Sequence, residues 1–192
     1  MQLRKTLLAT VLAGLTASAF AAPVTYAVDP THTHAGYEVS HLGFSIQSGV
    51  FTQTSGTVVL DNAAKKGSVD ISIDANSLNS YLPARDKHLK SADFFNVAKY
   101  PTITFKSNDL VFSGDKLTEV KGNLTLLGVT KPVTLKITNF RGGKHPMAGG
   151  KQAYGANAEA TIKRSDFGMG MMVPAISDDV KLDITIEAIA AS

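Results

Sequence analysis

Cysteine is absent from the 192 residues of this chain. Its absence excludes disulfides and every metal site that depends on thiolate ligands. A single domain of this length buries roughly 70% of the surface that its unfolded chain exposes, which is enough for a stable core without covalent cross-links. We therefore expect the fold to be held together by packing and hydrogen bonds alone.

An excess of one charge is also lacking. The chain has 19 Lys and Arg residues against 16 Asp and Glu residues, and the two signs are interspersed along the sequence. Nucleic-acid-binding domains usually gather their basic residues on one face. We therefore expect no nucleic-acid partner.

Motifs for catalysis are missing as well. The sequence contains no Gly-x-Ser-x-Gly motif, no glycine-rich phosphate loop and no pair of carboxylates whose spacing suggests acid–base catalysis. Isolated Ser, His and Asp residues carry little information, because catalytic triads assemble in space rather than in sequence. The prediction is a protein that is not an enzyme and that needs no cofactor.

Histidines are the remaining candidates for a metal site. His32 and His34 are two residues apart and would share one face of a strand, whereas His41 has the opposite parity. No His-Glu-x-x-His motif completes a zinc site. We predict no metal site, and we place His41 with Tyr37 and Val39 on the inward face of a strand.

Long apolar runs are confined to the N-terminus. Arg4 and Lys5 precede an apolar stretch from Leu7 to Leu15, and Ala19-Phe20-Ala21 has the pattern of a signal-peptidase site. The stretch is too short to span a membrane. Residues 1–21 are therefore predicted to be a signal peptide that directs export to the periplasm. Ala22 stands where a lipoprotein would need a cysteine, so no lipid anchor is expected.

The rest of the chain, residues 22–192, is predicted to form one all-β domain. Apolar and polar residues alternate with a period of two, which is typical of antiparallel strands with one wet and one dry face. About eight such strands joined by hairpins favour a closed barrel, although an open sandwich would give the same alternation. The predicted strands include residues 24–28, 34–41, 50–60, 68–74, 102–106, 109–112, 117–127, 132–138, 153–163 and 180–187.

Four connecting segments interrupt this alternation. Residues 113–115 and 128–131 are predicted to be tight hairpin turns, and residues 141–151, rich in glycine, a long mobile loop. Residues 167–174 contain three of the five methionines. Their side chains would either fill gaps in the core or form an adaptable apolar lid at the mouth of the barrel.

Small residues on the inward face indicate free space inside the barrel. One strand places Ala156, Ala158 and Ala160 on the same side, and we expect Ala35, Ala75 and Gly122 to add to the shortage of interior volume. An eight-stranded barrel is just wide enough either to pack its own side chains or to hold one small ligand. The pattern favours a cavity, but a helix or loop that plugs the barrel would also explain it.

The densest cluster of charged and aromatic residues lies between residues 85 and 101. Pro83 suits a first helical turn and Pro101 ends any helix, so we predict a short helical segment near residues 83–96. Arg85, His88 and Lys90 would either cradle an anionic head group or act as structural fasteners. We favour fastening, with Asp166 or Arg164 as partners of Arg85 and Asp86.

The same segment carries a family resemblance. The order Arg-Asp-x-His-Leu-Lys-Ser-x-Asp-Phe-Phe, followed by Tyr100-Pro101 and Thr-Ile-Thr-Phe, resembles the signature of the YceI family of bacterial lipocalin-like proteins. Further resemblance extends from Val28-Asp29-Pro30 through residues 122–133 to Asp166-Phe167-Gly168. It implies an extended eight-stranded antiparallel lipocalin-like barrel whose apolar tunnel binds a polyisoprenoid, such as an isoprenoid diphosphate or a quinone, or another long-chain amphiphile.

The expected function is therefore a periplasmic lipid-binding protein that sequesters or carries such a chain. The alternatives are a stress-related structural or interaction module with a packed barrel, and an isoprenoid-modifying enzyme. An edge left by incomplete barrel closure would also allow a homodimer. The residues expected to line the tunnel are Tyr37, Val39, His41, Phe51, Val58, Ile71, Ile73, Ile103, Phe105, Leu124, Leu126, Ala156, Ala158, Met169, Met171, Leu182 and Ile184.

Export predicts a defined N-terminus. Cleavage after Ala21 should give a periplasmic protein that begins Ala22-Pro23-Val24, because small residues at positions 19 and 21 suit signal peptidase. N-terminal sequencing of the protein released by osmotic shock measures this directly. A mature protein that retains Met1 would contradict both the cleavage site and the periplasmic location.

Overall fold

The computed structural model describes residues 22–191, so the predicted signal peptide lies outside the described residues. One α-helix, α1 (Pro83–Leu89), accompanies a single antiparallel sheet of eleven strands. No helix among residues 22–191 has the length and apolar character needed to cross a membrane. The strands are β1 (Val24–Val28), β2 (His34–His41), β3 (Ser45–Phe51), β4 (Thr54–Asp61), β5 (Lys66–Asp74), β6 (Leu78–Asn79), β7 (Thr102–Ser113), β8 (Lys116–Leu126), β9 (Val129–Lys144), β10 (Gln152–Lys163) and β11 (Asp179–Ala190).

Eight of the strands form a closed barrel, as the sequence predicts. Strands β1, β4, β5 and β7 to β11 follow one another around the ring, and β1 pairs with β11 to close it. The alternative of an open sandwich is therefore excluded. The remaining strands extend the sheet, because β11 also pairs with β2 between Lys181 and Thr185, and β3 and β6 follow outward from β2.

The single strand predicted over residues 50–60 is wrong. It is divided into β3 and β4, which lie in different parts of the sheet. Between them, the backbone N–H groups of Thr52 and Gln53 donate to the carbonyl and the hydroxyl oxygen of Ser77, respectively, at 3.3 and 3.0 Å. These bonds replace the sheet pairing over two residues, and the inward parity changes across the break, from Phe51 on β3 to Thr54 and Val58 on β4.

Two of the predicted connections also need correction. The turn at residues 113–115 is present between β7 and β8, but the turn predicted at 128–131 involves only Leu127 and Gly128, both with positive φ. Val129 already begins β9. Strand β9 then continues to Lys144, so the loop predicted over residues 141–151 is shorter than expected and joins β9 to β10 at residues 145–151.

One end of the barrel is filled by aromatic side chains, and we call it the closed end. Tyr26 is 2% exposed and meets the ring of Tyr154 edge-on, with ring centroids 5.2 Å apart. Phe140 stacks on the other side of Tyr154 at the same distance. Asn62 donates to the Tyr154 hydroxyl at 2.7 Å. Since this end is packed and hydrogen-bonded, it is the floor of the barrel.

The segment between β6 and β7 covers part of the opposite end, which we call the open end. Pro83 starts α1 after the extended Leu82, as its fixed φ favours, and the chain beyond the helix turns through residues 90–100 without regular structure. The helical segment is thus shorter than predicted. Phe94 is buried, and Phe95 meets the ring of Phe51 edge-on at 5.3 Å. These aromatic rings anchor the segment to the barrel.

Arg164 holds the loop of residues 168–178, which we call the Met loop, at the open end. Its guanidinium is 4% exposed and donates to the carbonyl oxygens of Met169 at 2.7 Å, Met171 at 2.8 Å, Ile176 at 2.9 Å and Ser177 at 2.9 Å. Burial lowers the pKa of Arg164. The group remains a cation that satisfies four backbone acceptors, so this one side chain defines the path of the loop.

Deleting the Phe94 ring should weaken the fold substantially. Phe94→Ala is expected to lower the free energy of unfolding by about 3–5 kcal/mol, the usual range for removing a buried aromatic side chain. Phe44 is 90% exposed, so Phe44→Ala serves as the matched control and should change it by less than about 0.5 kcal/mol. Urea unfolding of both variants measures the difference. Equal losses would show that Phe94 does not anchor the segment.

Replacing Arg164 should loosen the Met loop. Arg164→Met removes the guanidinium and leaves four backbone carbonyl groups without their donor. We expect the free energy of unfolding to fall by about 3 kcal/mol. The adjacent Lys163 makes only an exposed ion pair with Asp179, so Lys163→Met should cost less than about 1 kcal/mol. Denaturant titration and hydrogen exchange of the Met-loop amides test this. Unchanged exchange in Arg164→Met would contradict the role of Arg164.

Candidate ligand-binding cavity

The barrel encloses a cavity of about 440 Å³ that is bounded almost entirely by apolar side chains. Alternation along each strand places every second side chain inside, so strands from the whole ring contribute to its wall. The volume falls within the range of pockets that hold small molecules and cofactors. The expectation of free interior space, rather than a fully packed barrel, agrees with this geometry.

Nearly all of the residues expected to line the tunnel surround this cavity. Met171 does not, whereas Met172 of the same loop lines the cavity and is also 52% exposed. The Met171 carbonyl oxygen accepts a hydrogen bond from Arg164, which holds the loop backbone at this point. The expected residues found in the wall are Tyr37, Val39, His41, Phe51, Val58, Ile71, Ile73, Ile103, Phe105, Leu124, Leu126, Ala156, Ala158, Met169, Leu182 and Ile184.

The small residues contribute unequally. Ala158 is buried in the wall between Ile137 of β9 and Ile184 of β11, and Ala156 lies two residues before it. Ala160 does not line the cavity, so the predicted row of three alanines is one residue too long.

Two other small residues create no free volume. A Cβ at Gly122 would lie 2.5 Å from Cζ of Phe105, so the phenyl ring already occupies the space that the missing side chain leaves. Ala75 is buried in the hydrophobic core and does not line the cavity. The space therefore results from Ala156 and Ala158 on β10 and from Ala35 on β2, the two strands that flank β11.

Residues that sequence reasoning missed lie on the same inward faces. Most of them have the parity of the other inward residues on their strand, so alternation was the available signal. Leu110, Leu117 and Phe140 do not, because β-bulges shift the register of β7 with β8 and of β9 with β10. Tyr26 and Tyr154 could not be assigned to the floor without the pairing of β1 with β11. The missed apolar residues include Tyr26, Leu60, Val69, Leu110, Leu117, Val120, Val133, Leu135, Ile137, Phe140, Tyr154, Val180 and Ile186.

The cavity reaches the surface at the open end. His41 and Met172 both line it and are both exposed to solvent. They belong to segments that are joined by backbone contacts, since His41 forms a β-bridge with Ile176 and the Leu42 N–H donates to the Ala175 carbonyl at 2.8 Å. An apolar molecule would therefore enter at this end, beside the joined surface of the β2–β3 hairpin and the Met loop.

A polar cluster lies beside this entrance. Arg85 donates from Nε to the Ser80 hydroxyl at 2.8 Å and from Nη1 to Gln47 Oε1 at 2.9 Å, and it also donates to the Ser80 carbonyl. Asp86 accepts from the Ser80 N–H at 2.7 Å. The predicted fastening role of this pair is consistent with these contacts, but the partners are Ser80 and Gln47 rather than Asp166 or Arg164. Arg85 and Gln47 also line the cavity.

Tyr37 of β2 contributes a neutral hydroxyl to the wall of the cavity. Burial raises the pKa of its phenol to about 12, so the side chain is uncharged at physiological pH. Its ring covers Gly49 of the neighbouring strand so closely that a Cβ at that position would collide with it. Glycine at position 49 therefore allows a large aromatic ring to close the wall between β2 and β3.

The histidines do not form the strand-face pair that the spacing suggests. His32 precedes β2, and its Nδ1 pairs with the Asp29 carboxylate at 2.8 Å, whereas His34 starts the strand and lines the cavity. Hydrogen bonds from Thr31 and His32 lower the pKa of Asp29 to about 2. Asp29, His32 and Glu187 place potential ligand atoms within 4.8 Å of one another, but the hydrogen bonds of Asp29 explain this proximity.

Comparisons with known proteins agree with the barrel geometry. Residues 26–188 match the YceI-like domain family. The Protein YceI of Salmonella arizonae and that of Salmonella paratyphi B are each 39% identical to this chain over 191 residues, covering 97% of it and 98% of the relative.

Solved structures share the fold. The Campylobacter jejuni YCEI protein superposes with a TM-score of 0.67 at 31% identity, over 80% of this chain and 90% of that one. A polyisoprenoid-binding domain from Saccharophagus degradans has a TM-score of 0.65 at 18% identity, over 87% and 99% of the two chains. Burkholderia cenocepacia BcnA has a TM-score of 0.69 at 22% identity, over 84% and 99%. With a family match across almost the whole described chain and relatives at 39% identity, this protein belongs to the YceI-like family.

Proposed function

We propose that this protein binds a polyisoprenoid, or a similar long-chain amphiphile, inside its barrel and carries or sequesters it in the periplasm. The observation that carries the proposal is the apolar cavity of about 440 Å³, which reaches the surface beside the β2–β3 hairpin and the Met loop and has an aromatic floor at the other end. A chain-like ligand would enter tail first, with its tail toward Tyr26 and Tyr154. The name of the Saccharophagus degradans domain, a polyisoprenoid-binding domain of the same fold, supports this class of ligand.

The energetics of such a cavity favour a hydrocarbon chain. Each methylene group that leaves water contributes about 0.8 kcal/mol, so one five-carbon isoprene unit contributes roughly 4 kcal/mol before the cost of ordering the chain. Few polar contacts are then required for tight binding. The lining is permissive for the identity of the chain, because branched and linear hydrocarbons make the same kind of contact.

The entrance offers the polar contacts that a head group needs. Arg85, Gln47 and His41 lie at this end of the cavity, whereas the floor is aromatic. A guanidinium favours phosphate groups, and a neutral amide or imidazole favours a quinone carbonyl. The ligand class therefore extends from isoprenoid phosphates to quinones.

Binding is favoured over catalysis by the chemistry of the wall. Among the described residues that line the cavity there is no Asp or Glu, so no carboxylate is available for acid–base chemistry there. Three histidines line the cavity: His34, His41 and His88. Among the described residues, only His88 of these three has a carboxylate partner, the exposed Asp93. A structural module with a packed barrel is a weaker alternative, because it gives no role to the cavity.

Filling the cavity should abolish binding while the fold remains intact. Ala158→Phe should remove lipid that co-purifies with the native protein, with little change in melting temperature because space is available for the ring. Thr161 is exposed on the same strand, so Thr161→Phe is the matched control and should keep its lipid. Mass spectrometry of organic extracts from natively purified protein gives the lipid content per folded molecule.

Two outcomes would contradict the proposal. Wild-type protein that carries no lipid, and that takes up none from added polyprenyl phosphate or quinone, would remove the ligand-binding function. Equal lipid content in Ala158→Phe and wild type would show that the ligand lies elsewhere. A destabilisation of about 1–3 kcal/mol in Ala158→Phe would indicate that the wall is already packed around this alanine.

A further inference from the structure

The open end carries exposed apolar side chains on two segments that are joined to each other. The Leu42 N–H donates to the Ala175 carbonyl at 2.8 Å, and the Ser177 N–H donates to the Ser40 carbonyl at 3.0 Å. The β2–β3 hairpin and the Met loop therefore present one continuous surface. We call it the apolar tip, and its exposed residues are Leu42, Phe44, Ile46, Met171, Met172 and Val173.

The apolar tip is unusual because it contains no ionised side chain. No Lys, Arg, Asp or Glu occurs in residues 40–48 or in residues 167–177. Phe44 is 90% exposed and Ile46 is 62% exposed. Single exposed apolar residues are common on proteins, but a contiguous group of this kind around a cavity marks an interaction site.

The apolar tip is continuous with the wall of the cavity. Met172 is 52% exposed and at the same time lines the cavity, and His41 adjoins Leu42 at the entrance. A hydrocarbon chain that leaves the cavity would pass beside His41 and Met172. For the hydrocarbon to move from the cavity into a partner without contacting water, that partner would have to cover the apolar tip.

Basic side chains flank the apolar tip. Helix α1 is joined to strand β3 by the hydrogen bond from Arg85 to Gln47, one residue from Ile46. Lys87 and Lys90 follow on the same helical segment, and neither forms an ion pair within residues 22–191. Asp86 is bound by Ser80, and Asp93 pairs with His88 at 3.4 Å. At the ends of the Met loop Asp166 is exposed, Asp178 accepts from Ser165 and Asp179 pairs with Lys163 at 2.9 Å. The unpaired cations on the α1 side complement an anionic surface.

We propose that the apolar tip inserts into the surface of a bilayer that contains anionic phospholipid, with the cations of α1 among the head groups. An uncharged apolar surface bordered by basic residues is the usual design of proteins that lie on such membranes. A second copy of the chain would bring the same basic border against its own, whereas anionic phospholipid would attract that border. The inference rests on the proposed function, because it supplies the route by which the ligand leaves and re-enters a membrane.

The test is binding to vesicles of phosphatidylethanolamine and phosphatidylglycerol in a flotation assay. Phe44→Asp places a charge in the apolar tip and should weaken vesicle binding at least tenfold. Met147 is 91% exposed in the β9–β10 loop at the closed end, so Met147→Asp is the matched control and should bind as wild type does. Lys87→Glu should weaken binding to these vesicles several-fold, with no effect on the weaker binding to pure phosphatidylcholine.

Several results would overturn the membrane contact. These are wild-type protein that does not float with the vesicles, Phe44→Asp and Met147→Asp that bind equally well, and concentration-dependent dimerisation by sedimentation that Phe44→Asp alone abolishes. The last result would assign the apolar tip to a second copy of the chain.

Lipid content separates the failure of this inference from that of the proposed function. Wild-type protein that carries lipid but ignores vesicles contradicts only the membrane contact. Wild-type protein that binds vesicles through Phe44 but never contains lipid contradicts only the proposed ligand. Melting curves of each variant establish that it is folded, as expected for substitutions at exposed positions.

Discussion

The pairing of strand β11 with three different neighbours determines the arrangement of the whole molecule. Along its full length β11 pairs with β10, while its first half pairs with β2 and its last residues pair with β1. The pairing with β1 closes the ring and places Tyr26 against Tyr154 at the floor. The pairing with β2 places the β2–β3 hairpin beside the Met loop, which directly precedes β11. One strand thus links a closed end and an open end.

Closure of the ring also explains how a cavity can persist inside a stable protein. In an open sandwich the two sheets could approach each other and collapse onto small residues, whereas the circumference of a barrel is fixed by strand number and stagger. Small side chains such as those of Ala156 and Ala158 therefore leave a cavity, because the strands cannot move inward to fill it. Large aromatic rings seal the ends and the seams instead: Tyr154 at the floor, Phe95 under the α1 segment, and Tyr37 over Gly49.

Much of this arrangement could be predicted from the sequence because alternation is a local property. Ile71 and Ile73 alternate with polar residues, and their assignment to the inward face depends only on the period of a strand. The break between β3 and β4 depends on Ser77, far along the chain, which supplies the hydrogen bonds to residues 52 and 53. Its one mark in the sequence is the change of parity between the inward-facing Phe51 and Val58. Met171 was misplaced for a related reason, since Arg164 contacts the loop backbone and no side-chain pattern reports that.

The partners of Arg85 and Arg164 were the least predictable feature. Opposite charge suggested that Arg85 would meet Asp166, but the half-buried Arg85 and the buried Arg164 both mainly bind neutral oxygens. Arg164 donates to four carbonyls of the Met loop, and Arg85 to Ser80 and Gln47. A guanidinium has five N–H donors in a fixed plane, so it can bind several carbonyl oxygens of an irregular loop at once. An ion pair with one carboxylate would use these donors on a single partner.

Those two arginines divide the open end into parts with different roles. Arg164 is almost completely buried and makes the Met loop a defined boundary of the entrance, even though methionine side chains remain adaptable. Arg85 lines the cavity while it is bound to Ser80 and Gln47, so a head group that competes for it would have to replace bonds that already exist. The apolar chain of the proposed ligand should therefore supply most of the binding free energy. A head group should add to affinity only where it accepts a hydrogen bond from Arg85 more strongly than Gln47 does. The proposed binding mode therefore requires an apolar tail, branched or linear, before it discriminates between head groups.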